Sequence, residues 1–125
     1  MRTPRGHAHT VTAVAVYGWK WAISTSYDKT LKEWYLESGA ELRTLSGHAL
    51  TVNAVAVYED GKRAISASWD HTLKLWDLET GKAIATFTAD GPIKAFDANY
   101  DKGIIVAGDE LGRVHILSLV EPGIQ

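Results

Sequence analysis

The sequence contains no cysteine, only three prolines and one methionine, and no long run of apolar residues. The lack of cysteine excludes disulfides and thiolate chemistry, but it leaves open whether the surroundings are reducing or oxidising. Every apolar run is shorter than the roughly 18 residues that a membrane-spanning helix needs, and the N-terminal residues lack the apolar stretch of a signal peptide. From these absences we expect a cytoplasmic protein with no membrane partner.

Neither sign of charge predominates, because 13 basic and 15 acidic residues leave a formal net charge of −2. No run of lysine and arginine forms a basic stripe that would attract a phosphate backbone. We therefore expect no nucleic acid partner. A chain of 125 residues has the ordinary size of one domain, so residues 1–125 are predicted to form a single domain.

The strongest positive signal in the sequence is an internal repeat. The second copy follows the first at an offset of 41 residues before the first turn and 42 after it. A third, weaker copy aligns 112–117 with 71–76, which gives repeats of about 6–46, 47–88 and 89–120. A period in the low forties is typical of propeller blades. The matching segments are Gly6-His7 with Gly47-His48, 14–17 with 55–58, 22–24 with 64–66, 28–32 with 70–74, and Trp34 with Trp76.

Short apolar alternations separated by glycine and aspartate fill each repeat, and no 3.6-residue periodicity indicates a helix. In the second repeat this pattern predicts four strands, at about 51–58, 63–69, 72–78 and 82–88. Apolar residues on both faces of these strands indicate sheets that are sandwiched between neighbours. The sequence therefore predicts an all-β protein with three blades per chain.

Two of the repeats carry a Gly-His pair followed by a tryptophan, and Trp76-Asp77 completes the pattern in the second repeat. This pattern closely resembles WD40 repeats, and the resemblance covers nearly the whole chain. It implies a hydrogen-bonded network in each blade, because a partly buried turn carboxylate needs imidazole and backbone donors. The implied networks are His7, Ser24, Asp28 and Trp34 in the first repeat, and His48, Ser66, Asp70 and Trp76 in the second.

Serine, histidine and aspartate in one network also invite interpretation as a catalytic triad or a metal site. The same constellation occurs twice with nearly the same spacing, and its serine lies inside a predicted strand, which favours the structural role. Each repeat also offers too few ligands for a metal ion. We therefore predict no catalytic residue, no metal and no cofactor, and a protein that is not an enzyme.

The third repeat departs from the pattern, because Asp90, Leu111 and Leu117 stand where His, Asp and Trp are expected. We expect the stapling network to be absent there. Residues 107–117 resemble the closing blade of propellers at the C-terminus of bacterial signalling ATPases of the NACHT and NB-ARC kind. The sequence has no Gly-rich phosphate-binding loop with its lysine, so the resemblance implies only the binding half of such proteins.

Three blades alone would leave two open flanks with apolar faces, whereas propellers close with about 4–8 blades. Two-fold dimers are the commonest closed symmetry, so we predict that two chains form a six-bladed ring as a homodimer. Pro4 fits the outer edge of a sheet, because proline has no N–H to donate. The alternative is an open fragment of a once larger protein.

The predicted function is a protein-interaction scaffold that assembles with itself and binds an unknown protein or peptide through loops at one rim. The resemblance implies that residues before the turn aspartate and at the start of the first strand face the partner, with Lys94 and Glu110 as weaker matches. The alternatives are a structural remnant or engineered intermediate without an evolved ligand, and an enzyme with a site in the channel. The rim residues are Thr10, Thr12, Tyr27, Thr51, Asn53 and Trp69.

Overall fold

The computed structural model describes residues 3–4, 6–58, 62–120 and 123–124, and the other residues of the predicted domain lie outside this description. Within these ranges the chain forms three antiparallel sheets of four strands each, so the all-β prediction is confirmed. The same ranges contain no helix that is long and apolar enough to cross a membrane. Ring closure and dimerisation stay predictions.

Each sheet is built from consecutive strands, which follow the chain from the first strand to the fourth. The first sheet contains β1 (Val11–Tyr17), β2 (Trp21–Ser26), β3 (Leu31–Tyr35) and β4 (Ala40–Leu45). The second contains β5 (Val52–Tyr58), β6 (Arg63–Ser68), β7 (Thr72–Asp77) and β8 (Lys82–Thr88). The third contains β9 (Ile93–Asn99), β10 (Ile104–Asp109), β11 (Val114–Val120) and the two-residue strand β12 (Gly123–Ile124).

The turn between the second and third strands has the same backbone conformation in all three sheets. Lys29 and His71 both have a φ of 76°, and Gly112 has a φ of 85° at the equivalent position. This left-handed conformation lets the chain reverse within a few residues, and glycine adopts it without a steric penalty. The turn therefore keeps its shape although its sequence changes.

We distinguish two faces of each sheet by the cross-strand pairs. In the first sheet Val14 pairs with Ser24 and Ala22 pairs with Trp34, so these residues share one face, which we call the front face. Ile23 lies on the opposite face, which we call the back face. Equivalent positions in the second and third sheets follow from the repeat offsets.

Neighbouring sheets pack front to back. The back-face residues Ile23 and Leu31 of the first sheet form one apolar core with Ala64 and Trp76 from the front face of the second sheet. A second core joins the back face of the second sheet to the front face of the third. Its buried members are Ile65, Ala67, Leu73, Leu75, Ala89, Ile93, Ile105, Ala107 and Leu117. Each large apolar side chain buried in this way stabilises the fold by about 1.5–3 kcal/mol.

Among the residues that the structure describes, two sheet faces remain uncovered. On the front face of the first sheet, Val14 and Val16 are 67% and 65% exposed. On the back face of the third sheet, Val114 and Ile116 are 68% and 75% exposed. The chain therefore exposes one front face and one back face, which are the two kinds of surface that pack together inside it.

Candidate functional site

The first and second sheets each hold a hydrogen-bonded network that links the turn to the strands. In the first sheet Nε1 of Trp34 donates to Oγ of Ser24 at 2.8 Å, and this oxygen lies 2.6 Å from Nε2 of His7. Nδ1 of His7 lies 2.8 Å from Oδ2 of Asp28. The structure thus brings together the four predicted residues of each repeat. The same three distances occur in the second sheet among Trp76, Ser66, His48 and Asp70.

The order of donors in the second network fits a neutral imidazole. The indole of Trp76 can only donate, so Oγ of Ser66 accepts this hydrogen bond and uses its own hydrogen for Nε2 of His48. Nδ1 then carries the imidazole proton and donates to Asp70. Burial agrees with this assignment, because it lowers the pKa of His48 against the opposing effect of the Asp70 carboxylate.

The two aspartates hold the turn and the preceding loop together. Oδ1 of Asp28 accepts hydrogen bonds from the backbone N–H of Thr30 at 3.0 Å and from its hydroxyl at 2.6 Å. Oδ2 accepts from the backbone N–H of Ala8 at 3.0 Å. Burial alone would raise the pKa of Asp28, but these donors and His7 lower it to about 2. The pKa of Asp70 is also lowered, because Thr72, Ala49 and His48 outweigh the opposing effect of burial.

Both network serines are buried and hydrogen-bonded within their sheets. Ser66 is fully buried where the second sheet packs on the first, and Ser24 is buried as well. Each hydroxyl is engaged by both an indole and an imidazole. This geometry suits a network that holds a turn against a sheet rather than one that presents Oγ to a substrate. In the described part of the chain, no three His, Asp or Glu side chains come together as ligands for a metal ion.

A different network closes the equivalent turn of the third sheet. Asp109 accepts hydrogen bonds from the backbone N–H of Leu111 at 2.9 Å and of Arg113 at 3.1 Å. Nε2 of His115 lies 2.9 Å from Oδ2 of Asp109. The hydrogen bond from His115, followed by those from the two amides, lowers the pKa of Asp109. The third turn is therefore stapled by its own aspartate, which lies two residues before the WD40 position.

Sequence reasoning missed this group because Asp109 and His115 stand outside the WD40 pattern. The available signal was an aspartate shortly before Gly112, since aspartate accepts hydrogen bonds from the backbone of the turn that follows it. Asp90, at the position expected for histidine, instead forms an exposed ion pair with Arg113.

Aromatic and cationic side chains form an exposed row along the edge where the stapled turns lie. Tyr27 and Trp69 occupy equivalent positions, and their ring centroids are 6.0 Å apart. The ring of His9 lies 5.3 Å from that of Tyr27, and Nζ of Lys94 lies 5.3 Å from the centroid of Trp69. We call these four residues the rim row. It extends from the first sheet to the third.

Two of the other predicted rim residues lie beside the rim row. The carbonyl oxygens of Thr10 and Thr51 accept the backbone N–H groups of Tyr27 and Trp69, each at 3.0 Å. Glu110 is exposed, and its N–H donates to the carbonyl oxygen of Pro92 at 2.9 Å.

Thr12 and Asn53 occupy a different place from the other predicted rim residues. They lie between neighbouring sheets, where their side chains donate to backbone carbonyls of the following sheet. Their donor groups therefore connect strands of neighbouring sheets.

Two family models match the chain. Residues 48–119 match the model described as a TEP-1 C-terminal beta-propeller, and residues 1–35 match the WD domain, G-beta repeat. The first match covers more than half of the chain, and the two together include all eight network residues. No curated protein matches the chain.

Proposed function

Because the chain belongs to the WD40-repeat β-propeller family, whose domains are generally protein-interaction modules and typically not enzymes, we propose that it is a non-enzymatic interaction scaffold. Two copies close into one six-bladed ring through their blades, and the rim row binds a protein or peptide partner. The observation that carries this proposal is the pair of uncovered faces, one front face and one back face, in a chain whose sheets pack front to back.

The uncovered front face supports assembly because its counterpart is covered inside the chain. Val55 and Val57 stand in the second sheet where Val14 and Val16 stand in the first, and they pack against the first core. Trp76 is almost fully buried there, whereas Trp34 lines an open hollow of about 580 Å³. This hollow exposes apolar surface that a neighbouring sheet would remove from water.

The uncovered back face supports assembly by the same comparison. Leu73 and Leu75 of the second sheet are buried against the third sheet, while Val114 and Ile116 at the equivalent positions of the third sheet are exposed. In the dimer, the front face of the first sheet of each copy would cover the back face of the third sheet of the other copy. Both contacts of a two-fold dimer would then repeat a contact already present within the chain.

Light scattering after size exclusion, at several protein concentrations, tests the assembly. We expect a mass of two chains for the wild type. Val16→Asp and Ile116→Asp each put a charge into one uncovered face, so each variant should be a folded monomer. Leu42→Asp is the matched control, since Leu42 is an exposed leucine on the outer strand β4, and it should remain a dimer. A wild type that stays monomeric at every concentration, or a mass other than two chains, refutes the six-bladed homodimer.

The rim row supports the binding role because its side chains are exposed although large and aromatic. Tyr27 and Trp69 stand on adjacent sheets, and neither belongs to an apolar core. Tyrosine and tryptophan are enriched at the energetic centres of protein interfaces, since they contribute large contact areas together with a polar group. His9 adds a hydrogen-bond donor beside Tyr27 at one end of the row.

A displayed library of random peptides is the probe for the rim. Peptides selected on the wild type should bind Tyr27→Ala and Trp69→Ala at least tenfold more weakly, as expected for the loss of an interface anchor. Trp19→Ala is the control, because Trp19 is 83% exposed in the β1–β2 turn at the opposite edge of the first sheet. Peptides that bind the rim variants as well as the wild type would refute the rim site, and a library without any enriched peptide would favour a structural unit without a ligand.

A further inference from the structure

We infer that Lys94 joins the two copies of the ring by donating a hydrogen bond to the backbone carbonyl of Val11 of the partner subunit. The inference rests on the proposed assembly and adds a specific contact to it. It follows from a hydrogen bond that the chain already makes twice between its own sheets.

A bulge is the common feature of the three strands involved. In each sheet the register shifts around the second residue of the first strand, at Thr12 in β1, Asn53 in β5 and Lys94 in β9. These residues occupy equivalent positions in the three repeats. A residue at a bulge has no direct partner on the adjacent strand, so its side chain can turn away from the sheet.

In the first two sheets this side chain reaches the next sheet. The hydroxyl of Thr12 donates to the carbonyl oxygen of Val52, and Nδ2 of Asn53 donates to the carbonyl oxygen of Ile93 at 3.0 Å. Val52 and Ile93 are each the first residue of their strand. The two contacts therefore join equivalent positions of neighbouring repeats, and we call each of them an inter-sheet clip.

The third sheet has the donor of such a clip but not the acceptor. No further sheet follows β9–β12 within the described residues, and the ammonium group of Lys94 lies over the ring of Trp69. The position equivalent to Val52 and Ile93 in the first sheet is Val11, the first residue of β1. If the first sheet of a second copy follows the third sheet in the manner of the internal sheets, its Val11 carbonyl takes the place of the acceptor.

Lysine suits this position because its ammonium group can stay hydrated in the free chain and can donate a hydrogen bond in the ring. In the free chain the side chain of Lys94 is exposed, so its ammonium group stays hydrated while it lies over the ring of Trp69. In the ring it has three N–H groups to offer a carbonyl oxygen, and a charged donor forms a stronger hydrogen bond than a hydroxyl or an amide.

The test is the dissociation constant of the dimer, measured by sedimentation over a dilution series. Lys94→Met keeps most of the apolar stem but removes the donor, and we expect it to raise the Kd by about 100-fold, or roughly tenfold for each of the two clips in a two-fold dimer. Lys94→Asn restores the donor that the second sheet uses, so it should bind more tightly than Lys94→Met. Lys82→Met removes an exposed lysine from β8 and should leave the Kd unchanged.

The outcomes separate the inference from the assembly on which it rests. A wild-type dimer whose Kd does not change in Lys94→Met refutes the clip and leaves the ring intact. A wild-type monomer refutes the ring and the clip together. A Lys94→Met chain that melts at a lower temperature as a monomer, yet dimerises like the wild type, assigns Lys94 to its contact with Trp69 and overturns the inference.

Discussion

Nδ1 of His48 lies 2.8 Å from Oδ2 of Asp70, and Nε2 of the same ring lies 2.6 Å from the hydroxyl oxygen of Ser66. Both ring nitrogens therefore form hydrogen bonds when the imidazole is neutral. Protonation of Nε2 would direct a second donor at a hydroxyl that already accepts the indole hydrogen of Trp76. The network consequently favours neutral His48, in agreement with the lowering of its pKa by burial.

We expect the free energy of unfolding to fall as the pH decreases below about 6.5, the ordinary pKa of histidine. The folded chain holds the pKa of His48 below this value, so the unfolded chain binds more protons and gains stability as the pH falls. A second decrease in the free energy of unfolding should begin below about pH 4, where the aspartates of the unfolded chain take up protons. In the folded chain the pKa of Asp28 is about 2, and that of Asp70 is also lowered. Urea denaturation from about pH 8 to pH 3 measures both phases.

Two variants identify the group that is responsible for the first phase. His48→Gln should flatten the decline between about pH 7 and pH 5, because it removes the titrating imidazole. Trp76→Phe should lower stability at about pH 8 and also make this decline shallower, since the hydroxyl of Ser66 is then free to accept a hydrogen bond from protonated His48. A decline that persists unchanged in His48→Gln would assign the first phase to another group.

The network residues could be predicted because repetition distinguishes them from chance. His48 and Asp70 stand at nearly the same offsets as His7 and Asp28, so one copy checks the other. The staple of the third turn could not be predicted in this way. The contact of Asp109 depends on a turn sequence that has no second copy in the chain.

The bulges explain why the predicted rim residues lie in two places. Thr51 and Asn53 are two residues apart, so regular strand alternation puts them on the same side. The bulge at Asn53 breaks this alternation and turns its side chain toward the third sheet. A single bulge residue leaves almost no trace in the apolar pattern, so its effect becomes visible only in the structure.

The left-handed turn positions give a second prediction. Lys29 and His71 have a φ of 76°, which is costly for a residue with a Cβ atom. Lys29→Gly and His71→Gly should each raise the free energy of unfolding by about 0.5 kcal/mol, since the relief of strain exceeds the added flexibility of the unfolded chain. Thermal or urea unfolding of the two variants measures this gain.

Gly112 provides the converse test of the same turn. It has a φ of 85°, and apart from Gly112 and its two chain neighbours no described atom lies within 4 Å of the place that a Cβ atom would occupy. Gly112→Ala therefore changes only the backbone preference, and it should lower the free energy of unfolding by about 1 kcal/mol. Equal stability of Gly112→Ala and the wild type would show that the turn tolerates any residue.

A buried polar pair between the first two sheets gives the last prediction. Glu33 is buried on the back face of the first sheet, where the second sheet has Leu75. The hydroxyl of Tyr17 donates to its Oε2, and Nε of Arg43 lies 3.8 Å from its Oε1. Burial, together with the Glu33 carboxylate, raises the pKa of Tyr17, so the hydroxyl keeps its proton and remains a donor.

Tyr17→Phe should lower the free energy of unfolding by about 1.5–3 kcal/mol, because it leaves a buried carboxylate oxygen without its donor. The double variant Tyr17→Phe with Glu33→Leu should recover most of this loss, since it replaces both polar partners by apolar groups. Tyr35→Phe is the matched control, because its hydroxyl donates to the exposed Glu37 at 2.9 Å and its removal should cost little. Urea denaturation of the wild type and the three variants measures these differences in the free energy of unfolding. An equal effect of Tyr17→Phe and Tyr35→Phe would mean that the buried pair contributes no more to stability than a surface contact.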